Sequence, residues 1–108
     1  MARQNDYLNL GESFEERGKY FKAERLYKKA LKLQQRGVDE MSPELIPYLY
    51  NLGMIQAALD KTSDALNTLG RLIDILRKTY GEEYGEVKEI SEVMDELVIE
   101  HGQLAVNA

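Results

Sequence analysis

Shifting the 108-residue chain against itself by 42 positions brings its landmarks into register. Asn9-Leu10-Gly11 falls on Asn51-Leu52-Gly53, Lys19 on Lys61, Ala23 on Ala65 and Glu44 on Glu86. The interval from glycine to alanine is 12 residues in both copies. A repeat of this length restricts the fold more than composition does. Each copy is one supersecondary unit that cannot bury its apolar face alone, so neighbouring copies must stack.

The unit reads as helix. Tyr7, Leu10, Gly11 and Phe14 share one helical face, and Gly18 suits the left-handed residue that ends a helix. A second stripe follows at Ala23, Leu26, Tyr27, Ala30, Leu31 and Leu33, with Lys22, Arg25, Lys28, Lys29, Lys32 and Arg36 on the opposite face. The next stop falls near Gly37. Ser42-Pro43 then reads as N-cap and first helical position of a third helix running to about Leu59, its start kinked or delayed by Pro47. Thr62 or Ser63 is the expected cap of a fourth helix carrying Ala65, Leu66, Leu69, Leu72, Ile73 and Leu76. Gly81 and Gly85 punctuate the following loop. A fifth helix carries Val87, Ile90, Met94, Leu97, Val98 and His101 on one side, with fraying expected from Gly102.

These residues resemble a known family. Tyr7-x2-Leu10-Gly11-x2-Phe14, then Ala23-x3-Tyr27-x2-Ala30, is similar to the tetratricopeptide repeat signature. Large residues at Tyr7, Phe14 and Tyr27 fill the space between antiparallel helices, and Gly11, Ala23 and Ala30 let them approach. The second copy keeps the register as Leu49-x2-Leu52-Gly53 and Ala65-x3-Leu69, with Gln56 for the expected aromatic and Leu72 for the expected alanine. The 42-residue period exceeds the usual length of about 34. It resembles the kinesin-light-chain type, as does Tyr80-Gly81-Glu82-Glu83-Tyr84-Gly85-Glu86-Val87 beside that type's Leu-Gly-x-Asp-His-Pro-x-Val connector. Pro43-Glu44-Leu45 keeps the proline at the equivalent place.

The resemblance implies an all-α domain over residues 1–108: two antiparallel hairpins (4–36 and 43–79) and a capping helix or partial third repeat (83–101) in an α-α superhelix. It implies a non-catalytic protein–protein interaction module whose first helices line a concave groove. The groove stripes are then Leu8, Asn9, Glu12 and Glu16 in the first copy, Tyr50, Asn51, Met54 and Ala58 in the second, and Glu92 and Glu96 on the fifth helix. An apolar floor of Tyr50 and Met54 between carboxylate clusters suits a peptide with an apolar anchor and basic flanks. The plain alternative is a solvated acidic face. Asn9 and Asn51 suit hydrogen bonds to a ligand's backbone, or to a neighbouring helix. The family's carboxylate clamp for chaperone C-terminal tails is not expected here. Of its matching positions, Leu8, Glu12, Asn51, Glu89 and Val93, only Asn51 keeps the required residue type.

Composition narrows the function classes. There are no cysteines and a single histidine, His101, so thiolate chemistry is excluded and an imidazole-based site has little to build on. No phosphate-cradling loop, metal-ligand spacing or nucleophile–base pattern is present, so neither enzyme nor cofactor is expected. The net charge of −5 argues against nucleic acid or an anionic membrane surface as the main partner. The best case for nucleic acid is the basic face of the second helix, through Lys22, Arg25, Lys29, Lys32 and Arg36. Against it, that face is convex, and Tyr20 and Tyr27 read as core. No run approaches the ~18 apolar residues a membrane span needs. The start of the chain has no signal-peptide pattern, so the expected compartment is the cytoplasm.

Charge is unevenly spread: residues 1–36 carry 9 basic and 5 acidic side chains, and residues 81–108 carry 1 and 8. Self-association is the rival reading. Ile90, Val93, Met94, Leu97 and Val98 form an apolar side of the fifth helix wider than one hairpin need cover, which suits a homodimer. Head-to-tail stacking of basic and acidic ends is the second route.

Overall fold

The same helix–turn–helix is built twice. In the computed structural model, which describes the backbone of residues 3–107 and the side chains of residues 3–102, α1 (Gln4–Glu16) turns into α2 (Tyr20–Gln34), and α3 (Ile46–Ala58) turns into α4 (Thr62–Tyr80). Gly18 and Asp60, 42 residues apart, both take positive φ, at 75° and 60°. The flanking N–H groups repeat their partners as well: Lys19 donates to the Phe14 carbonyl and Lys61 to the Gln56 carbonyl. A left-handed residue costs glycine little and asparagine or aspartate less than most, so Asp60 holds the turn that Gly18 holds freely.

Two helix starts differ from expectation. Neither Thr62 nor Ser63 caps α4; the cap residue is Lys61, and no side chain caps it. The repeated turn fixes that entry through the backbone, leaving a side-chain cap nothing to specify. Ser42 does cap: its Oγ accepts from the Glu44 N–H at 3.2 Å. It opens a single 3-10 turn, Pro43–Leu45, and α3 proper starts at Ile46. Pro47 then lies in the first turn, where its missing N–H costs no hydrogen bond. The fifth helix, α5 (Gly85–Asn107), runs on through Gly102 rather than fraying there.

Packing follows the repeat. Inside the first hairpin α2 buries Ala23, Tyr27 and Ala30, and inside the second α4 buries Ala65, Leu69 and Leu72 at the matching positions. Between hairpins, α3 docks on α2 with Tyr48, Leu52 and Ile55 buried. Shifted by 42, that stripe becomes Ile90, Met94 and Leu97 of α5, which docks on α4. Polar ties reinforce the first junction. Tyr48 OH donates to Asn5 Oδ1 at 2.7 Å, Arg71 Nη2 to Gln35 Oε1 at 3.0 Å, and Lys61 Nζ to Glu24 Oε1 at 2.6 Å. Gln56, which replaces an aromatic, is buried with its amide oxygen accepting from Thr68 Oγ1 at 2.7 Å. A buried amide with a partner costs little; without one it would cost about 1–3 kcal/mol.

Tyr27 has no exposed surface, and its hydroxyl donates to Glu15 Oε1 at 2.7 Å. Burial first, and then this bond, push the phenol far above its ordinary value. In the unfolded chain it titrates near pH ~10, so its contribution is complete below that pH and drains as the pH rises further. Tyr27→Phe is therefore expected to cost about 1 kcal/mol at neutral pH and to flatten the loss of stability above pH ~10. Urea midpoints measured across that range check this; parallel slopes in the two chains would contradict it.

Candidate binding groove

Because α3 docks on α2 and α5 on α4, the first helices α1, α3 and α5 are left side by side with few direct contacts between them. A shallow groove results. Asn51 spans its first gap, with Nδ2 donating to Glu12 Oε1 at 3.4 Å. Of the two roles open to this asparagine, the structure shows the bond to a neighbouring helix, while its side-chain oxygen remains available as an acceptor.

The expected groove residues divide by exposure. Asn9, Glu12, Glu16, Ala58, Glu92 and Glu96 are exposed, and Tyr50 is 45% exposed. Leu8 and Met54 are half-buried and packed against the core, so the apolar floor is Tyr50 with only an edge of Met54. Between the N-terminal halves of α3 and α5 the groove deepens into a cavity of about 340 Å³, lined by Ile46, Pro47, Tyr50, Asn51, Glu86, Glu89 and Ile90. Glu92 and Glu96 lie further along α5 and do not line it. Glu89 stands at one of the clamp-matching positions, while Glu86 was not among the expected groove residues; the 42-residue shift places them on Pro47 in the first turn of α3 and on Glu44 in the 3-10 turn before it. A hollow of about 570 Å³ lies elsewhere, between the 37–44 loop and Lys78 and Thr79. It is wide open, mixes charges of both signs and has no aromatic side chain.

The docking stripe takes up much of the surface expected for self-association. Ile90 and Leu97 are buried in the chain's own core, and Val93 and Met94 are half-buried against it. Only Val98 and the adjacent Ile99 stay exposed, at 56% and 58%. Part of the face expected for self-association is therefore the face that holds α5 to α4.

The basic face of α2 is also partly used at home. Lys29 Nζ stands 4.7 Å from the centre of the Tyr7 ring, Lys22 Nζ stands 5.6 Å from that of Phe14, and Lys28 pairs with Glu24 at 3.6 Å. Tyr20, expected in the core, is exposed at the start of α2 beside the exposed Phe21. His101 is exposed too, next to the turn between α3 and α4. Among the described residues no three acidic, histidine or cysteine side chains are grouped for a metal ion, and no helix is long and apolar enough to cross a membrane. A family model described as tetratricopeptide repeat matches residues 4–78, which span both hairpins. No curated protein matches the chain.

Proposed function

The chain belongs to the tetratricopeptide repeat family, and on that premise we propose that it binds a basic segment of a partner protein along the groove of α1, α3 and α5. Repeats of this family are in general protein–protein interaction modules rather than catalysts. The observation that carries the reading is the arrangement of charge around one aromatic side chain. Glu12, bonded to Asn51, on one side and Glu86 and Glu89 of α5 on the other stand about the exposed ring of Tyr50 on α3, and Glu16, Glu92 and Glu96 are exposed further along α1 and α5. Such a surface attracts a cationic peptide and repels an acidic one, which disfavours chaperone tails and other acidic cargo.

Residues 4–36 and 43–79 are then the two repeats, and α5 is the cap that closes the second. The 42-residue period and the Tyr80–Val87 connector support the long-repeat, kinesin-light-chain-like subtype.

The test is a selection of peptides from a random displayed library against the folded chain, followed by a charge reversal. Glu12→Lys combined with Glu16→Lys is expected to weaken the selected peptides roughly tenfold, with the effect shrinking at high salt. Both residues are exposed, so the melting temperature should hardly move. Selected peptides with no excess of lysine or arginine, or unchanged affinity in the double variant, would refute the groove.

A further inference from the structure

We infer that the cavity between α3 and α5 is a receptor for one long cationic side chain of the bound segment, arginine before lysine. This rests on the groove reading and sharpens it: the anchor is charged, where the sequence pointed to an apolar one. The cavity has two chemistries at different depths. Ile46, Pro47 and Ile90 give an apolar wall, while Glu86 and Glu89 bring two carboxylates to the same 340 Å³ space. An arginine or lysine matches that division, with an apolar stem and a charged head. A leucine or phenylalanine would cover the wall but offer the two exposed carboxylates neither a charge nor a hydrogen bond.

Three further observations sharpen the assignment. Among the described residues neither Glu86 nor Glu89 is ion-paired; the three salt bridges all lie elsewhere. Glu86 sits in the first turn of α5, where the helix dipole offsets part of its charge, and it accepts from Tyr84 OH at 3.4 Å. Glu89, one turn further along, has neither offset and is the principal carboxylate. Tyr50 presents an exposed ring beside them, a surface on which a guanidinium stacks better than an ammonium does.

The experiment uses the peptides selected on the unmodified chain. Each lysine or arginine is replaced in turn by norleucine, which keeps the stem and removes the charge, and affinities are measured on the unmodified chain and on Glu89→Gln. One position is expected to dominate, losing roughly tenfold or more on the unmodified chain but no more than about twofold on Glu89→Gln. Glu86→Gln gives a second cycle, with a smaller coupling expected. The pocket is overturned if norleucine is tolerated at every position, or if the loss is the same on the unmodified chain and both variants. Sensitivity to the Glu12/Glu16 reversal would then still leave the groove standing. A selection yielding no peptide, or none that is basic, overturns groove and pocket together.

Discussion

Replacing Lys61 by methionine should lower the stability of the domain by about 2–3 kcal/mol, and adding Glu24→Leu should restore most of it. Glu24 lies on α2, yet it is only 4% exposed, because the next hairpin docks on α2 and brings Lys61 of its α3–α4 turn onto the carboxylate. Its Oε1 takes the Lys61 ammonium at 2.6 Å; its Oε2 is buried with no hydrogen bond, and Lys28 lies 3.6 Å away. Removing Lys61 strands a carboxylate in the junction between the hairpins, and a buried charge deprived of its partner typically costs about 3–5 kcal/mol. The smaller figure expected here reflects Lys28, which remains 3.6 Å from the other carboxylate oxygen, and the third of the Lys61 side chain that still faces water.

Removing the acid instead should cost little, since the lysine can swing its head into solvent. The repeat supplies the replacement. Residue 66, the counterpart of Glu24 in the second copy, is leucine, half-buried and packed on the core. Glu24→Leu alone should therefore lie within about 1 kcal/mol of the parent, while Lys61→Met should melt roughly 10 °C lower. Thermal unfolding of the two single variants and the double variant forms the cycle. If the double variant were no more stable than Lys61→Met, the cost would belong to lost lysine packing on Phe21 and not to a stranded charge.

That ion pair also marks a limit of reading the sequence. The 42-residue shift made the hairpins, their paired turns and the close glycines legible, because each is a local device written twice. Glu24 was not legible as a buried residue. In isolation it belongs to the polar side of an amphipathic helix, and only its pairing with an apolar counterpart, Leu66, signals a covered position. The docking stripe of α5 was legible only in part. Ile90, Met94 and Leu97 read as the apolar face of a capping helix, but the pattern does not say how much of that face the preceding hairpin covers. Comparison with Tyr48, Leu52 and Ile55 identifies it as the seam to the preceding hairpin.

The groove was legible at the level of helix faces and not at the level of depth. The 3.6-residue turn puts Tyr50 and Met54 on one face of α3 and Glu12 and Glu16 on one face of α1, and the family resemblance implies that these faces look into the groove. Which turn of α5 meets which turn of α3 depends on the length of the Gly81–Tyr84 connection and on where α3 begins. The 3-10 turn at Pro43–Leu45 moves that beginning to Ile46. The cavity consequently forms around Glu86 and Glu89, nearly two turns before the expected Glu92 and Glu96.

Valine placed at position 11, 53 or 95 should have very different effects, although the three positions are one repeat apart. A Cβ on Gly11 would lie 2.5 Å from Cε1 of Tyr27, and one on Gly53 would lie 2.5 Å from Cδ2 and 2.8 Å from Cγ of Leu69. Neither neighbour has anywhere to go. Tyr27 and Leu69 are fully buried, and the Tyr27 ring is also tied by its hydroxyl to Glu15. Valine brings two further methyl groups into the same space, so the helices of each hairpin must be pushed apart. Overpacking of this kind costs about 1–3 kcal/mol when a core can adjust. A rigid pair of facing helices adjusts poorly, so a loss of about 3 kcal/mol or more is expected at both glycines, against a gain of only about half a kcal/mol in helix propensity.

Gly53→Val should be the worse of the two. It opens the hairpin that α3 and α4 form between the first hairpin and α5, so both junctions lose their support. Position 95 is the third copy of this site and already carries aspartate, which is exposed. No helix among the described residues packs against it, so Asp95→Val should change stability by less than about 0.5 kcal/mol. Denaturant unfolding followed by circular dichroism reads all three. A neutral Gly53→Val would mean that the hairpin closes more loosely than the structure shows, and a strongly destabilising Asp95→Val would mean that α5 buries this face against another helix. The expected pattern, two severe and one silent, identifies α5 as the helix whose copy of this site meets no facing helix among the described residues.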